Sequence, residues 1–129
     1  MWEYKSRETS VTKSTGPERV TEESNYEGEL KGFGRFPSGK FVGTGTSLHR
    51  PAGVTTGSDQ GVLTTTDGET VASKDFGIGK DEAGKHRAAG VIFFMTTSQK
   101  YSWLNGAIMF WEGESGPDLT YSGTGYEWK

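Results

Sequence analysis

From Trp2 to Trp128 apolar and polar positions tend to alternate with a period of two, and no helical period is sustained over a dozen residues. Because side chains alternate across a strand, the pattern predicts a succession of strands. The first runs from Trp2 to about Thr12, with Trp2, Tyr4 and Val11 set among charged and hydroxyl residues. Residues Lys13 to Asn25 carry Gly16-Pro17 and the acidic pair Glu22-Glu23, and read as a long connection with a short strand or turn of helix around Arg19 to Glu23. Strand two covers Tyr26 to Phe36, and the turn Pro37-Ser38-Gly39 leads into strand three, Lys40 to Leu48. His49 to Asp59, crowded with Pro, Gly and Thr, reads as a loop. Strand four, Gln60 to Thr66, meets strand five, Glu69 to Ile78, across Asp67-Gly68, a pair suited to the positive φ angles of a hairpin turn. After the Asp81–Gly84 loop comes strand six, Lys85 to Thr97, which turns at Ser98-Gln99 into strand seven, Lys100 to Glu112. The loop Gly113 to Pro117 precedes strand eight, Asp118 to Trp128.

Eight strands joined mostly by tight turns predict an all-β fold, an antiparallel up-and-down barrel in one domain over residues 1–129, with a β-sandwich as the alternative. Closure removes the edges that an open sheet must protect. A barrel of this size is either filled by side chains or holds one small ligand. Gly-x-Gly occurs four times inside strand-like stretches, at residues 32–34, 43–45, 77–79 and 123–125, and each copy strips one strand face of side chains. Strand glycines mark bends or close approaches, so the repeats predict a tightly coiled sheet. If the bare face points inward, it leaves volume for a ligand.

Composition narrows the picture. At 129 residues the chain has room for one core, and its 31% hydrophobic content is low, partly offset by 12% aromatics. The net charge is −3 without a basic block, so no nucleic-acid partner is expected. The absence of cysteine excludes disulfides and a thiol nucleophile. The longest apolar run, Ala88 to Met95, is too short to span a bilayer, so no membrane partner is expected. Residues 1–20 are polar and lack the apolar stretch of a signal peptide, which makes a cytoplasmic location the expectation.

His49 and His86 are the side chains whose ordinary charge changes near neutral pH. They lack metal-site spacing, and no metal or cofactor is expected. The Gly-x-Gly pairs have no third glycine or following helix, and Gly53-Val54-Thr55-Thr56-Gly57 has the glycines of a nucleophile elbow without its serine. Carboxylates in strand-like surroundings are Glu29, Asp75, Glu112 and Glu127. Glu112 shares a face with Ile108 and Phe110; turned inward it would have a raised pKa, and at a strand end it would stand in water. The candidate catalytic groups are therefore His49, His86, Glu112 and Tyr126. The candidate ligand wall is Gly43, Gly45, Phe94, Trp103, Ile108 and Phe110, gated by the His49–Asp59 loop. Strands six and seven are apolar on both faces, whereas a half-solvated antiparallel sheet has one apolar and one polar face, so both sides are expected to be covered. Either a satellite core under the long connection covers the second face, or a homodimer or larger homo-oligomer does, through Phe93, Met109, Trp111 and Tyr121.

Eight short strands with glycine pairs and an aromatic end resemble the calycin-type barrels, lipocalins and, closer in size, allene-oxide-cyclase-like barrels, over most of residues 26–128. The Gly-x-Trp of lipocalins has no counterpart here, since Trp2-Glu3-Tyr4 does not match it. The resemblance implies a cup for an apolar molecule, in some members with cyclase or isomerase activity through confinement, and it transfers no catalytic residue. Three functions stand open: a carrier or sensor of a small apolar or aromatic ligand, a cofactor-independent isomerase, cyclase or hydrolase, and a structural or oligomerising barrel with a filled core.

Overall fold

The strands form one closed antiparallel barrel in which each pairs with its neighbour in sequence and β1 pairs with β8. The structure is a computed structural model and describes residues 1–15 and 20–129. Its strands are β1 Trp2–Thr15, β2 Val20–Gly32, β3 Gly39–Arg50, β4 Val54–Thr65, β5 Thr70–Glu82, β6 Lys85–Met95, β7 Met109–Ser115 and β8 Thr120–Glu127. Two short 3-10 turns, Pro51–Gly53 and Ser102–Gly106, are the helical segments among the described residues. No helix among them is long and apolar enough to cross a membrane.

Strand alternation and register together fix the inner face. Odd residues of β3, β4, β5, β7 and β8 point inward, with even residues of β2 and β6 and of β1 as far as Glu8. A bulge between Glu8 and Ser10 then shifts the register of β1 on β2 and reverses its parity, so Val11 and Lys13 share the inner face with Glu22. One end of the barrel is sealed. There Trp2, Leu63, Val71, Phe94 and Met109 converge, and Leu104 from the second 3-10 turn is fully buried among them. Phe36 stacks on Trp2 at 4.5 Å, and Phe94 meets Trp2 and Phe36 edge-on at 5.6 and 5.4 Å.

A polar clasp holds the plug in place. Asp67, in the β4–β5 turn, accepts hydrogen bonds from Tyr101 at 2.9 Å and Thr65 at 2.5 Å and pairs with Lys100. Asn105 accepts from the Thr96 backbone N–H at 2.8 Å and donates to the Thr96 carbonyl at 3.0 Å, which ties the β6–β7 connection to itself.

The hairpin at Asp67-Gly68 forms as expected, with Gly68 at φ 89°. Four expected segments differ. β2 ends at Gly32, so Phe33 to Phe36, expected as strand, form the connection to β3, with Gly34 at φ 64°. Most of residues 13–25 is strand: β1 runs to Thr15, β2 starts at Val20, and residues 16–19 lie outside the described residues. The loop expected at 49–59 is also strand except for the turn at Pro51–Gly53, where Ala52 and Gly53 take φ 66° and 70°. Its Gly57 faces Ser47 in register, so a glycine that reads as a breaker is an inward ladder position. The hairpin expected at Ser98-Gln99 is replaced by a connection over residues 96–108, and β7 is correspondingly short. Trp103 and Leu104 would face opposite sides of a strand. In the 3-10 turn Leu104 fills the plug, while Trp103 packs edge-on to Phe36 at 6.1 Å under the Arg35 guanidinium.

Candidate functional site

Above the sealed end the inner wall changes character. Tyr4, Glu8, Tyr26, Asp59, Asp75 and Trp111 all point inward, yet each keeps part of its surface open, whereas Trp2, Val71 and Met109 below them are closed off. The barrel is therefore a cup, closed at the plug and open at the rim that carries His49 and His86.

Glycines make this lumen possible. Gly43 lies beneath the Tyr26 side chain, where an added Cβ would stand 2.5 Å from the hydroxyl, and a Cβ at Gly45 would run into the Asp59 carboxylate. Gly77 is covered by the Trp111 ring and Gly79 by the His86 ring. The Gly-x-Gly repeats at 43–45 and 77–79 thus clear one strand so that a large or charged side chain from its neighbour can lie across it, whereas Gly34 of the first repeat lies in a turn. The bare face is the inner one.

The chemical centre of the cup is Asp59 and Asp75, directly opposite each other on β4 and β5. Burial pushes both carboxyls up, and the like charge facing Asp75 raises it further, while a hydrogen bond from Asp75 to Asp59 favours the ionised form of Asp59. The pair accordingly titrates as a unit that holds one proton near neutral pH, carried by Asp75 and donated to Asp59. Tyr4 and Tyr26 flank it, and burial holds both phenols far above their usual range, helped at Tyr4 by Tyr121 and then the carboxylates and at Tyr26 by the carboxylates. Both are neutral hydroxyls at any physiological pH. The Trp111 indole N–H is buried and has no hydrogen-bond partner among the described residues.

At the rim, His49 Nε2 lies 2.9 Å from Glu22 and its Nδ1 3.2 Å from the Thr55 hydroxyl. His86 Nδ1 lies 2.8 Å from Asp81. Glu8 is raised by partial burial and then by Glu22, with Lys13 opposing. Among the described residues no three His, Asp or Glu side chains stand close enough together to hold a metal ion.

Of the residues singled out from sequence, His49, His86, Gly43 and Gly45 face the barrel interior, the histidines on separate strands at the rim. Phe94 and Trp103 belong to the sealed end. Glu112, Tyr126, Ile108 and Phe110 lie on the outside: register places Glu112 beside Ala89 and Thr124, and Phe110 beside Val91 and Tyr126, and none of the four lines the cup. Of the four expected interface residues, Met109, Trp111 and Tyr121 point inward and Phe93 outward. Glu29 is outward and exposed, and Glu127 pairs with Arg35 at 2.9 Å by the plug. Sequence reading missed Asp59, because its surroundings read as a loop, and the lumen roles of Tyr4, Tyr26 and Trp111. The usable signal was parity: Gly57-x-Asp59-x-Gly61 and Asp75-x-Gly77-x-Gly79 put each carboxylate on the same face as the glycines.

No family model and no curated protein matches the chain. Solved structures do. A β-barrel-like protein from Acinetobacter baumannii superposes with TM-score 0.87 at 16% identity, over 100% of this chain and 93% of that one. A conserved protein of unknown function from Rhodopseudomonas palustris gives 0.84 at 18% identity, over 98% and 93%. An enzyme from Penicillium herquei gives 0.68 at 15% identity, over 96% and 89%. At these identities the likeness shows the barrel fold alone.

Proposed function

We propose that the protein binds a small, largely apolar or aromatic molecule in the cup, as its resemblance to the calycin-type barrels implies. The observation that carries this reading is the contrast along the inner wall: sealed apolar packing at one end, and above it partly open Tyr4, Tyr26 and Trp111 around cleared glycines. An interior meant only as a core would bury those rings as fully as Trp2. Aromatic walls with a few convergent polar groups are the usual make-up of a small-molecule site.

The test is fluorescence of N-phenyl-1-naphthylamine, a neutral dye that brightens in apolar surroundings. The wild type should enhance it, and Gly45→Leu, which fills the wall beside Asp59, should abolish the enhancement while circular dichroism stays unchanged. Val42→Leu, three residues away on the outer face, should leave it intact. Enhancement in Gly45→Leu equal to wild type, or none in either, removes the reading.

A second reading, a cofactor-independent isomerase or cyclase, is favoured by the Asp75–Asp59 pair. It places a proton donor and a proton acceptor side by side on the wall of the same cup.

A further inference from the structure

The proposed binding reading leaves open what the buried carboxylates select. The pair is not matched by a cation. Among the described residues no Lys or Arg faces it from β3, β4, β5, β6, β7 or β8. Among the described residues every base on the inner face sits at the rim and has a nearer acid: His49 beside Glu22, His86 beside Asp81, and Lys13 close to Glu8 and in register with Glu22. The other titratable groups facing the pair are the Glu8 carboxyl on β1, whose charge helps to raise Asp59, and three phenols, Tyr4 on β1, Tyr26 on β2 and Tyr121 on β8, all held neutral by burial. A second feature of the wall is a free donor, which an acceptor atom on the body of a ligand, and not its ammonium, would satisfy. The Trp111 N–H is buried without an acceptor, on a ring that crosses Gly77, two residues from Asp75 on the same strand face. Buried polar atoms are otherwise nearly always satisfied.

Resting on that binding reading, we propose that the cup prefers ligands carrying a basic nitrogen on an aromatic body. The nitrogen seats as its ammonium against Asp59 and Asp75, and the body lies along Tyr4, Tyr26 and Trp111. An ammonium on such a site is attracted both by carboxylate charge and by the faces of the rings. Proton balance follows. The free pair carries one proton and one negative charge; when the ammonium arrives, the shared proton leaves to solvent, both carboxylates ionise, and the N–H groups donate to them. The net charge of the site is unchanged, and one proton is released for each amine bound.

The experiment compares 1-naphthylmethylamine with its neutral isostere 1-naphthylmethanol by titration calorimetry at pH 7, in two buffers of different ionisation enthalpy. The amine should bind about tenfold or more tightly than the alcohol and release close to one proton, with none released for the alcohol. Asp75→Asn and Asp59→Asn should each weaken the amine, and the Asp59→Asn, Asp75→Asn double variant should bring it down to the alcohol's affinity, without moving the alcohol. Should any variant misfold, the wild type at pH 5 serves instead. There the pair is fully protonated, and the amine's advantage should shrink. Equal affinities for both compounds in the wild type, or an advantage without proton release and insensitive to pH, would overturn the amine preference while leaving the cup a binding site. Binding of neither compound would overturn both.

Discussion

The six-membered ring of Trp2 lies directly across Gly125 on the neighbouring strand, so close that a Cβ at that position would collide with it. Trp2 is 2% exposed and anchors the sealed end through Phe36 and Phe94. Gly125→Ala should therefore destabilise the protein by about 1–3 kcal/mol, as overpacking does, and shift the tryptophan emission to the red. Gly106→Ala, where nothing stands within 4 Å of the added carbon, is the control. Urea unfolding of both variants decides the matter, and equal midpoints would refute the contact.

Leu104 is fully buried and is the part of the second 3-10 turn that enters the barrel. Leu104→Ala should cost about 2–5 kcal/mol, the range for emptying a tight core position. Since Asn105 and Thr96 still fix the connection, the loss should appear in the unfolding midpoint with little change in the far-ultraviolet circular dichroism.

The aspartate pair predicts an unusual dependence of stability on pH. Unfolded aspartates titrate near about 3.9, and in the folded protein the pair is pushed up to about 6 for Asp59 and about 8 for Asp75. Folded pKa values above the unfolded ones mean that the native state holds the extra protons. The contribution is complete below the unfolded value and disappears as pH rises through the folded ones, at up to about 1.4 kcal/mol per pH unit for each group. Between pH 5 and pH 9 the urea midpoint of the wild type should fall relative to that of the Asp59→Asn, Asp75→Asn double variant. Parallel curves would show that the carboxyls do not share a proton.

Asp67 should behave in the opposite way. Its hydrogen bonds from Lys100, Thr65 and Tyr101 hold its carboxyl well below the usual range. Its contribution is present above the unfolded value and fades as pH falls below it. Relative to Asp67→Asn, the wild type should lose midpoint on acidification below about pH 4, where unfolded aspartates take up protons. A constant difference between the two proteins across that range would argue against the clasp.

Phe110 and Trp111 are adjacent in sequence and face opposite sides of the wall. Phe110→Ala should leave N-phenyl-1-naphthylamine affinity within about twofold of wild type, as expected of a site not in contact with the ligand. Trp111→Ala should weaken it markedly. The reverse order would place the binding surface on the outside.

The barrel itself was legible because hairpins leave local signatures. Asp67-Gly68 marks a turn and Val91 to Phe94 alternates across two apolar faces, and both features appear in the structure. The cup's centre was harder to read. Gly57 and the Thr-rich run beside it look like loop chemistry, and only the pairing of Gly57 with Ser47 shows that they continue a ladder. Once that segment is taken for a loop, the parity of Asp59 is lost and the carboxylate opposite Asp75 goes unnoticed. The plug escaped for another reason. Trp103 and Leu104 have the apolar character of a strand, and their curl into a 3-10 turn depends on a cavity formed by strands distant in sequence. The rings that lie across glycines are tertiary facts of the same kind, since each glycine and its cover sit on different strands.

Every strand pairing in the barrel joins neighbours along the chain except the seam between β1 and β8, where Trp2 meets Gly125. Hairpins of neighbouring strands close small loops and form quickly, whereas a contact between residues this far apart must first overcome the entropy of nearly the whole chain. Sealing the seam is thus the natural slow event of folding. Until it happens, the chain is an open curved sheet with two unpaired edges, and the aspartates stand in water at ordinary acidity. The proton that Asp75 keeps near neutral pH is then taken up only as the wall closes, so refolding followed with a pH indicator dye should show proton uptake in the same late phase that buries Trp2.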